Sequence, residues 1–125
     1  MHWGFILIAG LVVAATLALK RVGLVSAETA RAYLKQGALV VDVRSTEEFK
    51  AGHLSSAINM PLNELQTSAI RRVPDQDQVL LLHCLSGTRS GLAKRRLKGM
   101  GYNNVFNLGS LTRARKIAGT SSGVA

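Results

Sequence analysis

The sequence predicts an α/β protein with a central, mostly parallel sheet flanked by helices and one transmembrane helix ahead of it. Three observations lead there. Short strand-like runs alternate with segments of helical spacing, the pattern that builds parallel sheets. The first of these runs, Ala38-Leu39-Val40-Val41, is apolar without interruption, as expected of a strand buried on both faces. Ahead of them, Trp3 to Leu19 carries no charge, whereas all 16 basic and 7 acidic side chains lie from Lys20 onward.

The charge-free run of 17 residues rises about 25 Å as a helix, close to the hydrocarbon thickness of a bilayer. Lys20 can snorkel and Trp3 suits an interface. A cleavable signal peptide wants a positive leading segment, and only His2 precedes the run; Val25-Ser26-Ala27 resembles a cleavage site, but Lys20-Arg21 stand before it. The expectation is an uncleaved single-pass anchor over residues 1–21. The basic pair on its carboxyl side places the following domain on the cytoplasmic side.

The domain is expected over residues 22–118. Ser26 caps a helix from Ala27, with Glu28 in its first turn and Gly37 ending it. After the first strand comes Asp42-Val43-Arg44, and then Ser45-Thr46-Glu47-Glu48, a capping box that opens a short helix stopping at Gly52. Ala57 to Met60 reads as a second strand. Pro61 opens a helix through Leu62, Leu65 and Ile70. Val79 to Leu82 is a third strand. A helix from Ser90 to Lys98 packs Leu92, Ala93 and Leu97 inward. Val105 to Leu108 is a fourth strand, Leu111 to Ala118 a last helix, and 119–125 a frayed tail.

Composition narrows the function. A single cysteine makes no internal disulfide, so stability does not rest on an oxidising compartment. The net charge of +9 is concentrated late: from Arg71 onward only Asp75 and Asp77 oppose the basic residues. No nucleic-acid motif accompanies that charge, which points to an anionic membrane surface and a small anionic substrate, with no nucleic-acid partner. One Cys and three scattered His give no metal-ligand spacing, and no cofactor is expected.

The chemistry concentrates between Leu80 and Gly91. An apolar strand stops at Cys84, and Arg89 and a helix follow. Such a strand–loop–helix aims backbone N–H groups and a helix dipole at one point, where a thiolate is stabilised. Ligands of open parallel sheets bind beyond the carboxyl ends of the strands, where Cys84 sits.

Three separated pieces then resemble a known family. Val41-Asp42-Val43-Arg44 with Glu48-Phe49, Gly52-His53-Leu54, Ala57, Asn59 and Pro61 resembles the first half of the rhodanese homology domain. The segment Cys84-x-x-Gly87-x-Arg89-Ser90 resembles its active-site loop, and Gly101-Tyr102-x-x-Val105 with Leu108-Gly109 its closing strand. The resemblance covers roughly Leu24 to Ala118. It implies a single rhodanese-like domain acting as a sulfurtransferase, with sulfane sulfur carried as a persulfide on Cys84. The partners it implies are a small anionic donor such as thiosulfate, a thiol or cyanide acceptor, and possible protein sulfur acceptors. Around the persulfide, the available donors are the N–H groups of Leu85, Ser86, Gly87, Thr88 and Arg89, the hydroxyls of Ser86, Thr88 and Ser90, and the Arg89 guanidinium. Arg89 either binds the substrate anion or forms a structural ion pair. Two departures stand out: Leu85 occupies a position that is often basic, and Gly109-Ser110 replaces a Gly-Gly pair, with no later Trp.

His83 and His53 read as packing residues, and Asp42 and Arg44 as framework. Two rival functions are a cysteine phosphatase or arsenate reductase, and a membrane-tethered binding module without turnover. The phosphatase needs five residues between Cys and Arg, and Cys84 to Arg89 leaves four.

Overall fold

The computed structural model describes residues 3–119, except that nothing is described of the side chains of residues 14–22. Helix α1 (Trp3–Val22) precedes helix α2 (Ala27–Lys35), strand β1 (Leu39–Asp42), helix α3 (Thr46–Ala51) and strand β2 (Ala57–Asn59). A 3-10 turn (Leu62–Glu64) leads into α4 (Leu65–Arg72), followed by β3 (Leu80–His83), α5 (Thr88–Gly99), β4 (Val105–Gly109) and α6 (Leu111–Ala118). The four strands form one parallel sheet in the order β2-β1-β3-β4. From β1 the chain moves outward to β2 and then returns to the other side at β3. The crevice beyond the carboxyl ends of β1 and β3 is therefore the topological switch point, the usual ligand site of open α/β sheets.

Both sheet faces are covered, which is why the central strands lack polar alternation. Successive side chains of a strand point to opposite faces. Leu80, Leu82 and Cys84 accordingly join Val41 and Val43 in one core with Leu65, Ala69, Ala93 and Leu97 from α4 and α5. Leu81 joins Val40 and Leu108 in the other, against Ala30 of α2 and Ala114 and Ile117 of α6. Ser26, Ser45 and Ser110 each accept a backbone N–H at a helix start.

Several elements differ from expectation. The helix expected from Pro61 begins as a 3-10 turn, and Ile70 is 65% exposed; Leu65 and Ala69 supply the buried contacts of α4. Helix α5 starts at Thr88 instead of Ser90, because Gly87 at φ +100° turns the chain directly from loop to helix. Strand β3 extends through His83 and β4 through Gly109. At the amino end, the large apolar side chains Trp3, Phe5, Ile6, Leu7, Ile8, Leu11, Val12 and Val13 of α1 are exposed. Among the described residues no helix is long and apolar enough to cross a membrane, so the expected transmembrane helix is not found among them. Residues 3–13 alone rise only about 16 Å, against roughly 30 Å of hydrocarbon. The side chains of residues 14–19, the rest of the expected span, and residues 120–125, nearly all of the expected tail, lie outside the described residues.

The switch point is braced by a buried ion pair. Arg44 Nε donates to both carboxylate oxygens of Asp42 at 3.0 Å, and Nη2 donates to Oδ2 at 2.8 Å and to the Gly52 carbonyl at 2.7 Å. Asn59 Nδ2 donates to the carbonyls of Asp42 and Arg44, each at 3.0 Å, tying β2 to the same corner. Removing one partner of such a pair leaves a buried charge uncompensated. Arg44→Met should therefore lower the free energy of unfolding by about 3–5 kcal/mol, read from denaturant midpoints at constant slope. A loss below about 1 kcal/mol would show that the pair does not brace the corner.

Candidate active site

The loop after β3 is tied to β4 before it curls. The Cys84 N–H donates to the Gly109 carbonyl at 3.2 Å, and the Leu111 N–H donates to the Leu85 carbonyl at 3.2 Å. Gly87 then closes the turn. Its φ of +100° is unfavourable for side chains, and a Cβ there would stand 3.3 Å from Gly109 Cα. The curl brings the Gly87 N–H to 3.0 Å from Cys84 Sγ, and the Ser90 hydroxyl to 3.5 Å.

Cys84 has no exposed surface. Burial pushes its thiol up, but the Ser90 hydroxyl and the N–H groups of Ser90, Gly87 and Ser86 outweigh that effect and hold it below the ordinary thiol value. Ser90 is itself buried and held in place. Its single hydroxyl proton faces Asn107 Oδ1 at 2.7 Å, the Gly87 carbonyl at 3.1 Å and the sulfur. Asn107 Oδ1 also accepts the Gly109 N–H at 2.8 Å, and its Nδ2 donates to the Gly87 carbonyl at 3.3 Å. A thiolate therefore competes for a hydroxyl that Asn107 has already oriented.

The remaining expected site residues divide. Leu85 is 57% exposed on the lip of the loop. Ser86 and Thr88 are also exposed, with their hydroxyl oxygens 3.5 Å apart. The Arg89 guanidinium engages Glu48: Nη1 donates to Oε1 at 2.6 Å and Nη2 to Oε2 at 3.0 Å. The Arg89 hydrogen bond, opposed by burial and aided by Ser45, holds the Glu48 carboxyl down to about 2. Glu48 does this while completing its capping box with Ser45.

His83 lies beside Asp42, Nε2 to Oδ2 3.8 Å, on the sheet face away from the thiol-side core. Burial lowers its pKa, more than Asp42 raises it. His53 stacks on Phe49, and its Nδ1 lies 2.8 Å from the Phe49 carbonyl.

Two residues at this site escape a reading by motif. Glu48 reads as a cap and also holds the loop arginine. Asn107 reads as a strand residue; its signal is a polar side chain inside an otherwise apolar strand, Val105 to Leu108.

Comparison with known proteins agrees with this geometry. The family described as rhodanese-like domain matches residues 26–113. The chain is 39% identical over 71 residues to the thiosulfate sulfurtransferase PspE of Escherichia coli, covering 57% of this chain and 68% of PspE. It is 34% identical over 84 residues to the thiosulfate sulfurtransferase GlpE of Pseudomonas entomophila, covering 67% of this chain and 75% of GlpE. Among solved structures, a rhodanese with anions from E. coli superimposes with a TM-score of 0.59 at 36% identity, covering 62% of this chain and 91% of that one.

Ser90→Ala removes the hydroxyl from the sulfur and leaves Asn107 Oδ1 its Gly109 partner. The thiolate absorbance of Cys84, followed against pH, should then rise at higher pH than in the wild type. An unmoved midpoint with intact circular dichroism would remove Ser90 from the electrostatics of the thiol.

Proposed function

The chain belongs to the rhodanese-like domain family, and from that premise we propose that it is a sulfurtransferase carrying sulfane sulfur as a persulfide on Cys84. The observation that carries this reading is the Gly87 N–H 3.0 Å and the Ser90 hydroxyl 3.5 Å from Cys84 Sγ in the loop leading into α5, donors that hold the thiol below its ordinary value. The reaction needs a nucleophilic sulfur that remains a stabilised anion after it is loaded, and N–H donors with a helix dipole supply both requirements.

With thiosulfate as donor, the Cys84 thiolate attacks the sulfane sulfur, the donor's S–S bond breaks, and sulfite leaves with the electron pair. The relatives named thiosulfate sulfurtransferases support that donor. The acceptor, a thiol or cyanide, then takes the outer sulfur and returns Cys84 to the thiolate. Because Cys84 is buried, each half of the cycle requires the loop around it to open. The bidentate hold of Glu48 on Arg89 counts against the phosphatase alternative, in which the loop arginine has to face a bound oxyanion.

Incubation with thiosulfate should add the mass of one sulfur atom to the protein, and cyanide should then release thiocyanate. Cys84→Ser should abolish both, a loss on the order of a thousandfold or more in turnover. Wild type that takes up no sulfur from any of several donors would leave the binding module as the better reading.

The proposal extends to attachment of the domain to a membrane through residues 3–19, on the cytoplasmic side. Its support is the charge-free run ending at Lys20-Arg21 and the exposed apolar side chains from Trp3 to Val13. Full-length protein should sediment with membranes and be released by detergent but not by salt, and a chain starting at Val22 should remain in the supernatant. Protease added to intact cells should leave the domain whole. Release by salt alone argues against a span, and digestion of the domain reverses the orientation.

A further inference from the structure

Arg89 and Arg96 are seven residues apart on α5 and so share one face of the helix. Both line a cavity of about 380 Å³ with Val43, Ser45, Leu62 and Asn63. A second cavity of about 310 Å³ shares Leu62, Asn63 and Arg96 and adds Leu65, Gln66 and Met100, so the two form one groove leading away from the loop. None of the lining residues is acidic.

The two guanidiniums are in different states. Glu48 neutralises Arg89 through two hydrogen bonds. Arg96 is exposed, and its hydrogen bond to the Leu62 carbonyl is long, at 3.5 Å. Among the described residues no carboxylate pairs with it. The loop arginine is occupied; the next arginine along the same face keeps its charge for a ligand.

We propose that this groove receives the acceptor of the sulfur-transfer reaction, a small thiol bearing a carboxylate, and that Arg96 binds the carboxylate. This rests on the sulfurtransferase reading above. The spacing selects the ligand class. Ser90, whose hydroxyl is 3.5 Å from Cys84 Sγ, is six residues before Arg96, about 9 Å of helical rise. A helical arginine leans toward the amino end, back toward the loop. That offset along the helix suits an acceptor whose thiol and carboxylate are joined by a stem, which cyanide lacks. Leu62, Leu65 and Met100 give the intervening stem an apolar wall. In the transfer, the acceptor thiol R–SH attacks the outer sulfur of the Cys84–S–S⁻ anion, its proton passing to that sulfur. A new S–S bond forms, the Cys84 S–S bond breaks with its electron pair left on Sγ, and the acceptor departs as the persulfide R–S–SH. Nothing is oxidised or reduced overall.

Glutathione and its diethyl ester share the same thiol, the ester having both carboxylates capped as neutral ethyl esters, and serve as the paired probes. With thiosulfate-loaded protein, kcat/KM should favour glutathione, and Arg96→Ala should lower the glutathione-to-ester ratio about tenfold, the size of one charge-assisted hydrogen bond. The change should lie in KM, and Arg96→Lys should recover part of it. Equal rates with the two probes, or a ratio unmoved by Arg96→Ala, overturns the proposal. Binding of unreactive S-methylglutathione to unloaded protein supplies a second readout: Arg96→Ala should weaken it about tenfold, and no binding to wild type also overturns the proposal. The two readings fail separately, because absent loading by mass removes the activity, whereas loading without acceptor discrimination removes only the Arg96 site.

Discussion

The buried Asp42–Arg44 pair is the constraint on which the rest of the site depends. A charge taken out of water at the carboxyl end of β1 is tolerable only with a fixed, fully hydrogen-bonded partner, and Arg44 has no freedom left once it spans Asp42 and Gly52. That fixes Val43 between them and aims the chain outward at Ser45, where the capping box begins. The box sets Glu48, and Glu48 sets Arg89. A structural pair at the carboxyl end of β1 is thus linked, through the capping box of α3, to the first turn of α5. His83 shares the corner: its carboxylate neighbour is already spent on Arg44, and burial disfavours the charged ring there more than Asp42 favours it.

On the other side of the loop the control is by neutral groups. Cys84 is buried, which by itself opposes ionisation, and the thiol is lowered only because several donors converge on one sulfur. Their convergence depends on Gly87 and Asn107. Gly87 takes a backbone conformation that side chains rarely adopt, and a Cβ there would crowd Gly109 at 3.3 Å. Asn107 reaches up from β4 to hold Ser90, so the last strand supplies part of the loop's rigidity. The Gly109-Ser110 pair completes this arrangement: Gly109 bends at φ +94° and Ser110 caps α6. A second glycine is unnecessary where a serine both permits the turn and starts the helix.

Much of the fold was legible because the signals are local. A capping box, a run of Val and Leu, and a glycine after a helical stretch each report on a few neighbouring residues, and the strand–helix alternation follows from them. Ile70 shows where that fails. Helical spacing marks several apolar positions as candidates, and only packing against α5 and the sheet decides that Leu65 and Ala69 are inside and Ile70 is not. At the site, Cys84 and its loop stand out as a contiguous segment. The Glu48 and Asn107 contributions are invisible there, since each acts across 41 or 17 residues of sequence on a partner that only the sheet order brings close. The burial of Cys84 was equally hidden: a strand end reads as open, whereas here the sulfur has no exposed surface and meets Gly87 and Ser90.

The distribution of charge around the loop follows from these contacts. Basic side chains outnumber acidic ones 16 to 7, yet the carboxylate of Glu48 is spent on the loop arginine Arg89, and Leu85 adds no cation beside it. A fixed cation against the sulfur would stabilise the persulfide anion as well as the thiolate, and binding a carried group more tightly than its release requires slows the second half of a transfer. Dipoles from N–H groups and a hydroxyl stabilise the anion more moderately. The excess positive charge lies instead on the outer faces of α5 and α6. Within a Debye length of about 8 Å in physiological salt it still draws small anions toward the loop without holding the sulfur. The site therefore separates attraction from retention, and that separation is what a carrier needs when it must accept sulfur from one partner and surrender it to another.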